Sequence, residues 1–150
     1  NAGKSSLLNE LTNAHVKTAN YPFTTLEPNL GIFKGKIIAD NPGLLTGASM
    51  GRGLGINFLK HIEKCHLLLH CISSDSSDIL RDYEIIRKEV RQFKSELLLK
   101  QEIILLTKSD LVSPEIVKGQ LSSLKRTKRV VLPVSIHDYE SLERLKEQLV

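Results

Sequence analysis

An α/β layered fold, with a mainly parallel sheet and helices on both of its faces, is the architecture that this sequence predicts. Two observations predict it. Short apolar runs alternate with amphipathic helical stretches, and polar loop residues follow the end of each apolar run. The 150 residues are 41% hydrophobic and 25% charged, which suffices for one domain with a buried core. No apolar run approaches the ~20 residues of a membrane span.

The first half of the chain predicts two helical patterns on either side of a hairpin. Three leucines recur on one helical face near the start, and two prolines argue against regular structure in residues 15–28. The predicted elements are, in order, a helix over Ser5 to Asn13, short strands over Asn29 to Phe33 and Lys36 to Asp40, a glycine-rich stretch to Gly55, and a helical pattern from Ile56.

The second half predicts three buried strands, each followed by a helix. The second of these helices has a clear start, with Ser113 as N-cap and Pro114 in the first turn. The predicted elements are a strand over His66 to Ile72, a helix with Ile79, Tyr83, Ile86, Val90, Phe93 and Leu97 on one face, a strand over Glu102 to Thr107, a helix with Ile116, Val117, Leu121 and Leu124, a strand over Val130 to Val134, and a helix with Leu142, Leu145 and Leu149.

The first six residues, Asn1-Ala2-Gly3-Lys4-Ser5-Ser6, match the second half of the phosphate-binding loop Gly-x-x-x-x-Gly-Lys-[Ser/Thr]. Glycine lets the backbone approach an anion, and a helix N-terminus adds partial positive charge. Lys4 would reach the β- and γ-phosphates, and the Ser5 hydroxyl would coordinate Mg²⁺. Because the chain begins inside this motif, we expect it to be a piece of a longer reading frame. By itself, the motif also fits a plain helix capped by Asn1 or Ser5.

Four further motifs follow in a fixed order. They are a threonine loop at Thr24-Thr25, Asp40-x-Pro-Gly43, Thr107-Lys108-Ser109-Asp110, and Ser135-Ile136. Most of them come at the carboxyl ends of predicted strands, where binding sites of parallel sheets lie. The order of the motifs resembles the guanine-nucleotide-binding domain of small GTPases, which implies a P-loop NTPase three-layer sandwich with its first strand missing from this chain.

A closer resemblance is to the Obg family of GTPases. The segment Ala19-Asn20-Tyr21-Pro22-Phe23-Thr24-Thr25-Leu26-x-Pro28-Asn29-Leu30-Gly31 is similar to the first switch of that family. So are Gly47-Ala48-Ser49, Gly53-Leu54-Gly55 and Phe58-Leu59-x-His61-Ile62-Glu63. The resemblance covers nearly the whole chain, and it implies that residues 1–150 are a partial Obg-type G domain.

The resemblance implies a role for each motif. Asp110 would accept two N–H donors from the guanine edge, which adenine does not offer. The predicted catalytic residues are Lys4, Thr25 and Gly43. The predicted nucleotide-binding residues are Asn1, Ala2, Gly3, Lys4, Ser5, Ser6, Thr107, Lys108, Asp110, Ser135 and Ile136. The predicted metal ligands are Ser5, Thr25 and Asp40, the last through a Mg²⁺-bound water.

The sequence departs from the family at several motif positions. Thr107 stands where Asn is usual, Ile136 where Ala is usual, and Asn41 where an apolar residue is common. Leu44 is not such a departure: it occupies the position at which Ras-like proteins orient water with Gln, and the resemblance implies that the Obg family shares this apolar residue, which is no hydrolytic base. We therefore expect slow turnover with outside help, from a ribosome or from K⁺ held by Asn1.

These motifs together predict a GTP-binding protein with slow Mg²⁺-dependent hydrolysis. The resemblance alone implies a switch role in large-subunit ribosome assembly, contacts with the ribosomal subunit or rRNA through the full-length protein, and a cytoplasmic or organellar location. One alternative is a nucleotide-responsive binding module with negligible hydrolysis. Another is a basic RNA-binding module, because the net charge is +4 and Lys125-Arg126-x-Lys128-Arg129 is a basic run.

The cysteines and histidines are predicted to be structural, and the lack of a preceding strand is predicted to weaken the isolated chain. Cys65 and Cys71 lack metal-ligand spacing and are expected to be reduced thiols in or near the core. The five histidines show no ligand spacing either. Without a preceding strand, residues 1–150 alone are expected to have poor stability and weak nucleotide affinity.

Overall fold

The structure is a computed structural model that describes residues 3–12, 16–18, 29–40 and 65–150. Its helices are α1 (Lys4–Leu11), α2 (Ile79–Phe93), α3 (Pro114–Leu124) and α4 (Tyr139–Gln148). Its strands are β1 (Val16–Thr18), β2 (Asn29–Phe33), β3 (Lys36–Asp40), β4 (Leu67–Ser73), β5 (Gln101–Thr107) and β6 (Val130–Pro133). The predictions for the glycine-rich stretch and the helical pattern from Ile56 lie outside the described residues.

The described strands form two three-stranded sheets. In one, β4, β5 and β6 are parallel, and Ile103 at the centre pairs with Leu69 on one side and Val130 on the other. In the other, β1, β2 and β3 are antiparallel, with β2 between its two neighbours. The parallel strands and the hairpin are confirmed. The prediction of irregular structure across 15–28 is wrong for β1, because three residues are too few to show a strand periodicity.

Successive residues of β5 face opposite layers, since side chains alternate across a strand. Ile103 and Leu105 belong to one hydrophobic cluster, which also contains residues of α1 and α4. Ile104 and Leu106 belong to a second cluster, which contains residues of α2 and α3. Helices therefore cover both faces of the parallel sheet, as the three-layer prediction requires.

Several predicted details are corrected by the packing. The helix that was predicted to run from Ile79 to Leu97 ends at Phe93. Leu97 is buried as expected, but it lies in a separate 3₁₀ turn over Ser95–Leu99. Ile116 was expected in the core but is 51% exposed, because α3 turns Leu124 towards the sheet instead. The residues of β4 are mostly half-buried because β4 is an edge strand of the described parallel sheet.

The predicted first helix is also shorter than expected. It ends at Leu11, and Thr12 serves as its C-cap. The Thr12 hydroxyl donates a hydrogen bond of 2.7 Å to the Leu8 carbonyl, and the Thr12 side chain lies against β2. The leucines of this helix are buried as predicted.

Gly31 of β2 lies where α1 crosses the antiparallel sheet, with no room for a side chain. A Cβ at Gly31 would lie 2.4 Å from Thr12 Cγ2 and 3.1 Å from Leu8 Cδ1. We expect Gly31→Ala to lower the free energy of unfolding by about 1–3 kcal/mol, measured by urea denaturation. Adding Thr12→Ser, which removes the clashing methyl group, should restore part of that loss.

A matched control is available at an exposed position of a helix. A Cβ at Gly119 of α3 would meet nothing within 4 Å, so Gly119→Ala should raise the free energy of unfolding by about 0.5–1 kcal/mol. If Gly31→Ala were as stable as the original chain, the close approach of α1 to β2 would be wrong.

Candidate functional site

The start of α1 lies beside the loop that follows β5. Gly3 is the N-cap of α1 and adopts a left-handed conformation, with φ of 78°, which favours glycine. A Cβ at Gly3 would lie 3.6 Å from Lys108 Cε. Gly3-Lys4-Ser5 and Thr107-Lys108-Ser109-Asp110, which are about a hundred residues apart in the chain, therefore meet at one edge of the parallel sheet. This juxtaposition is what the two motifs predict for a shared site.

The N-cap of α1 is Gly3, which has no side chain, and Ser5 lies inside the first turn of the helix. The alternative in which Ser5 caps a plain helix is therefore wrong, and Asn1 lies outside the described residues. The first amides of a helix have no intrahelical acceptor, and the helix dipole adds partial positive charge at the same end. The start of α1, with Lys4 half-buried there, is thus arranged to receive an anionic group.

The loop after β5 is fixed by hydrogen bonds to both neighbouring strands. Thr107 is buried, and its hydroxyl donates to the Ile72 carbonyl of β4 at 3.4 Å. The Ser109 amide donates to the Val134 carbonyl, which follows β6, at 3.2 Å. Lys108 itself has a left-handed backbone, with φ of 56°, which is uncommon for a lysine. Beyond it Asp110 is exposed, so its carboxylate is presented at the sheet edge.

The loop after β6 is held in place by hydrogen bonds to the start of α4. Ser135 is 2% exposed, and its amide donates to Ser141 Oγ at 3.0 Å. The Ser135 hydroxyl accepts from the His137 amide at 3.1 Å. Asp138 caps α4 by accepting from the Glu140 and Ser141 amides. These bonds hold Ser135 inside the loop and leave Ile136, which is 38% exposed, at the surface.

Sequence reasoning missed Ser141 as a positioning residue. Its hydroxyl joins the Ser135 amide to the Asp138 carbonyl, to which it donates at 2.8 Å. The spacing Asp138-x-x-Ser141 resembles the start of a capped helix, and that signal was available before the structure. The spacing does not indicate that the Ser141 hydroxyl also bonds to Ser135 in the loop before the helix.

We expect Ser141→Ala to weaken GDP binding about five- to tenfold, because the buried Ser135 amide would lose its acceptor. The measurement is a fluorescence titration with a labelled GDP, together with thermal denaturation. Ser122→Ala, on the exposed face of α3, is the matched control and should change neither quantity. Unchanged affinity in the Ser141 variant would show that the loop does not depend on this bond.

Of the other predicted site residues, some lie in the described part of the chain and some lie outside it. Ser5 and Ser6 are exposed in the first turn of α1, and Asp40 is the last residue of β3, with its side chain outside the described part. Asn1, Ala2, Thr25, Gly43 and Leu44 also lie outside it. The structure thus brings the described phosphate-loop residues together with the loop after β5, and the remaining assignments stay predictions.

A buried cluster of charged groups lies at the opposite edge of the parallel sheet. The Glu102 side chain is 5% exposed and accepts a hydrogen bond of 3.2 Å from the Tyr83 hydroxyl. Arg87 Nη1 lies 3.5 Å and Arg129 Nε 3.8 Å from Glu102 Oε1. His70 Nδ1 lies 3.4 Å from Oε2, although this pair does not meet the geometry of a hydrogen bond, and the imidazole stacks on the Tyr83 ring.

The neighbours of Glu102 decide its ionisation. Burial alone would raise the pKa of this carboxyl, but His70, Arg87 and the Tyr83 hydroxyl outweigh burial and hold the pKa below its usual range. Burial and the adjacent Glu102 carboxylate raise the pKa of Tyr83, so its hydroxyl remains a donor. Glu102 is therefore ionised and paired at neutral pH, and it joins β5 to α2 and to the residue before β6.

Other kinds of site are not found among the described residues. No group of three or more His, Cys, Asp and Glu residues there suits a metal ion. In that same part of the chain, no helix is long and apolar enough to cross a membrane. Cys65 and Cys71 are half-buried thiols near the core, as predicted. Burial raises the pKa of the Cys65 thiol against the opposing effect of Lys100.

Comparison with known proteins gives a matching family and close relatives. Residues 1–108 match the family described as 50S ribosome-binding GTPase. GTPase Obg of Bacteroides thetaiotaomicron is 50% identical over 121 residues, covering 77% of this chain and 31% of the relative. GTPase Obg of Pelagibacter ubique is 46% identical over 155 residues, covering 100% of this chain and 47% of the relative. The chain thus spans between about a third and a half of the length of these curated relatives.

Solved structures with the same fold include a G domain and a protein bound to GDP. The G domain of the T. maritima FeoB iron transporter has a TM-score of 0.70 at 26% identity, covering 99% of this chain and 90% of that one. A variant of Aquifex aeolicus Era bound to GDP and AlF4⁻ has a TM-score of 0.74 at 22% identity, covering 99% of this chain and 52% of that one. The predicted P-loop GTPase fold is confirmed by these similarities.

Proposed function

Since the chain belongs to the family of 50S ribosome-binding GTPases, with Obg GTPases among its relatives, we propose that it binds GTP and GDP with Mg²⁺ and hydrolyses GTP slowly. In this proposal, residues 1–150 act as an Obg-type G domain. The proposal includes a switch role in large-subunit ribosome assembly and a cytoplasmic or organellar location, both taken from the family alone.

The observation that supports nucleotide binding best is the approach of Gly3 to Lys108. A guanine nucleotide has a polyanionic end and a flat base, and each end needs a different set of groups. The start of α1 offers backbone amides and Lys4 to the phosphates. Lys108 and Asp110 lie on the adjacent loop, where a carboxylate selects guanine through its two N–H donors. Their closeness in space matches a single ligand of this kind.

The proposed metal ligands are Ser5, Thr25 and Asp40. All three carry oxygen, which Mg²⁺ prefers, and Ser5 stands in the first turn of α1 beside the proposed phosphate site. Bound Mg²⁺ would neutralise charge on the β- and γ-phosphates. Lys4 would hold the same phosphates directly, and the Gly43 amide would donate to the γ-phosphate.

Hydrolysis is proposed to be slow because Leu44, which follows Gly43, has no group that can orient the attacking water. Asn1 is the proposed ligand for K⁺, which would assist turnover in place of a protein side chain. Comparing turnover in KCl and NaCl at equal ionic strength tests this step, and equal rates would reject it.

The main experiment is nucleotide binding followed by single-turnover GTP hydrolysis, on the protein in its full length. We expect GDP to bind far more tightly than ADP, and hydrolysis to be slow but measurable and abolished by Lys4→Ala. Lys118→Ala, an exposed lysine of α3, is the matched control. Tight binding without hydrolysis would favour the alternative, a nucleotide-responsive binding module. Failure to discriminate GDP from ADP would overturn the proposal.

A further inference from the structure

The positive charge of the chain is concentrated in two segments that lie together in the fold. Residues 87–102 and 125–129 hold nine of the 21 Lys and Arg side chains but only three of the 17 Asp and Glu side chains. The rest of the chain therefore has twelve cations and fourteen anions, and the whole surplus of +4 comes from these two segments. Two of the three acids, Glu89 and Glu102, are buried.

The two segments are joined by Arg129. Its guanidinium donates to the Leu98 carbonyl at 2.8 Å and to the Lys100 carbonyl at 3.2 Å, and its Nε lies near Glu102. Arg87 of α2 approaches the same carboxylate. The end of α2, the 3₁₀ turn after it and the turn before β6 are thus fixed against one another at the amino-terminal edge of the parallel sheet.

The turn before β6 has a defined shape of its own. The Thr127 hydroxyl donates to the Leu124 carbonyl at 2.6 Å, and the Lys128 amide donates to the Lys125 carbonyl at 3.0 Å. Lys128 has a left-handed backbone with φ of 60°. A preformed turn loses little backbone freedom when it binds a ligand, so the backbone that carries these cations is already in place.

From this arrangement we propose that the amino-terminal edge of the sheet binds the phosphate backbone of double-stranded RNA. We call this surface the basic edge; its exposed cations are Arg91, Lys94, Lys125, Arg126 and Lys128. Segments 87–102 and 125–129 contain a single aromatic residue, Phe93, and a row of unpaired bases would need several on which to stack, so contact with phosphates is favoured over single-strand recognition. A membrane surface is disfavoured because the apolar face of α2 is turned into the core.

The basic edge and the proposed nucleotide site lie at opposite ends of β5. Seven residues of strand span about 20 Å, so RNA and nucleotide do not compete for the same surface. The inference deepens the ribosome part of the proposed function and rests on it for its biological setting. The quantity that decides it is RNA affinity, which depends on neither nucleotide binding nor hydrolysis.

The test removes three cations of one turn and measures RNA binding by the protein in its full length. The variant combines Lys125→Gln, Arg126→Gln and Lys128→Asn, and Asn tolerates the left-handed conformation. The probe is a labelled RNA duplex of ~20 base pairs, titrated at several NaCl concentrations. We expect at least about tenfold weaker binding near 0.1 M salt, and a slope of log affinity against log salt that is smaller by about 2–3.

The matched control removes three exposed cations elsewhere, through Arg81→Gln, Lys118→Gln and Arg144→Gln. It changes the net charge equally and should bind RNA as the original protein does. Equal loss in both variants, or no RNA binding by the original protein, would overturn the proposal. So would binding to phosphatidylserine vesicles without binding to the duplex. GDP affinity, measured in parallel, reports on the nucleotide site, so a failure there would count against the proposed function and not against the basic edge.

Discussion

Replacing Asp110 by asparagine is expected to lower GDP affinity by at least ~100-fold, because the amide presents an N–H donor to a base edge that is itself a donor. The loss would go beyond one hydrogen bond, since the side-chain N–H would be forced against the guanine amine. Xanthine has a carbonyl in place of that amine. The same variant should therefore bind xanthosine diphosphate more tightly than the original protein does.

Competition titrations with GDP, xanthosine diphosphate and ADP measure this exchange of specificity. Glu115→Gln, an exposed acid in the first turn of α3, removes the same charge and should leave all three affinities unchanged. A uniform weakening for every base would mean that Asp110 acts through general electrostatics. Undiminished GDP affinity in the Asp110 variant would remove this residue from the site.

Glu102→Gln is expected to lower the free energy of unfolding by about 2–4 kcal/mol at neutral pH. The change is nearly isosteric, but it leaves Arg87 and Arg129 without their carboxylate partner. Both guanidinium groups are partly exposed, at 18% and 24%, and the water that reaches them keeps the expected cost below that of a fully buried pair.

The pH dependence gives this prediction a second readout. The folded state holds the pKa of Glu102 below its ordinary value of 4.5, so the stabilisation is fully present above that value and is lost as the pH falls below it. Urea denaturation from about pH 7 to about pH 3 should show the two proteins converging in stability only in the acid range. Glu96→Gln, an exposed acid of the neighbouring 3₁₀ turn, is the control. A stability difference that stays constant down to about pH 3 would contradict the ionised pairing of Glu102.

The elements that could be predicted from sequence are those with a local cause. Ser113 followed by Pro114 determines the start of α3, and the Ser113 hydroxyl accepts from the Ile116 amide as expected. The apolar runs of β5 and β6 gave both strands to within one residue at each end. The order of the motifs likewise predicted that Lys108 lies beside the phosphate loop, because parallel strands end at a common edge.

What could not be predicted depends on partners that are distant in the chain. Glu102 looks like an unremarkable first residue of a strand until α2 and Arg129 surround it with cations. Leu97 was expected to be buried as part of α2. It is buried although α2 ends at Phe93, because the 3₁₀ turn that follows places it against the core. The strand β1 exists only by pairing with β2, and its three residues have no signal of their own.

The approach of Gly3 to Lys108, and the position of Ser135 on the loop after β6, have a consequence for the order of events during synthesis. The groups proposed to hold one nucleotide are separated by about 130 residues of chain, and Ser135 is fixed only once Ser141 of α4 is present. A nascent chain that has exposed α1 alone therefore has half of a binding surface. Nucleotide should be captured only after α4 has emerged, and from then on ligand binding would favour the completed fold over every shorter intermediate.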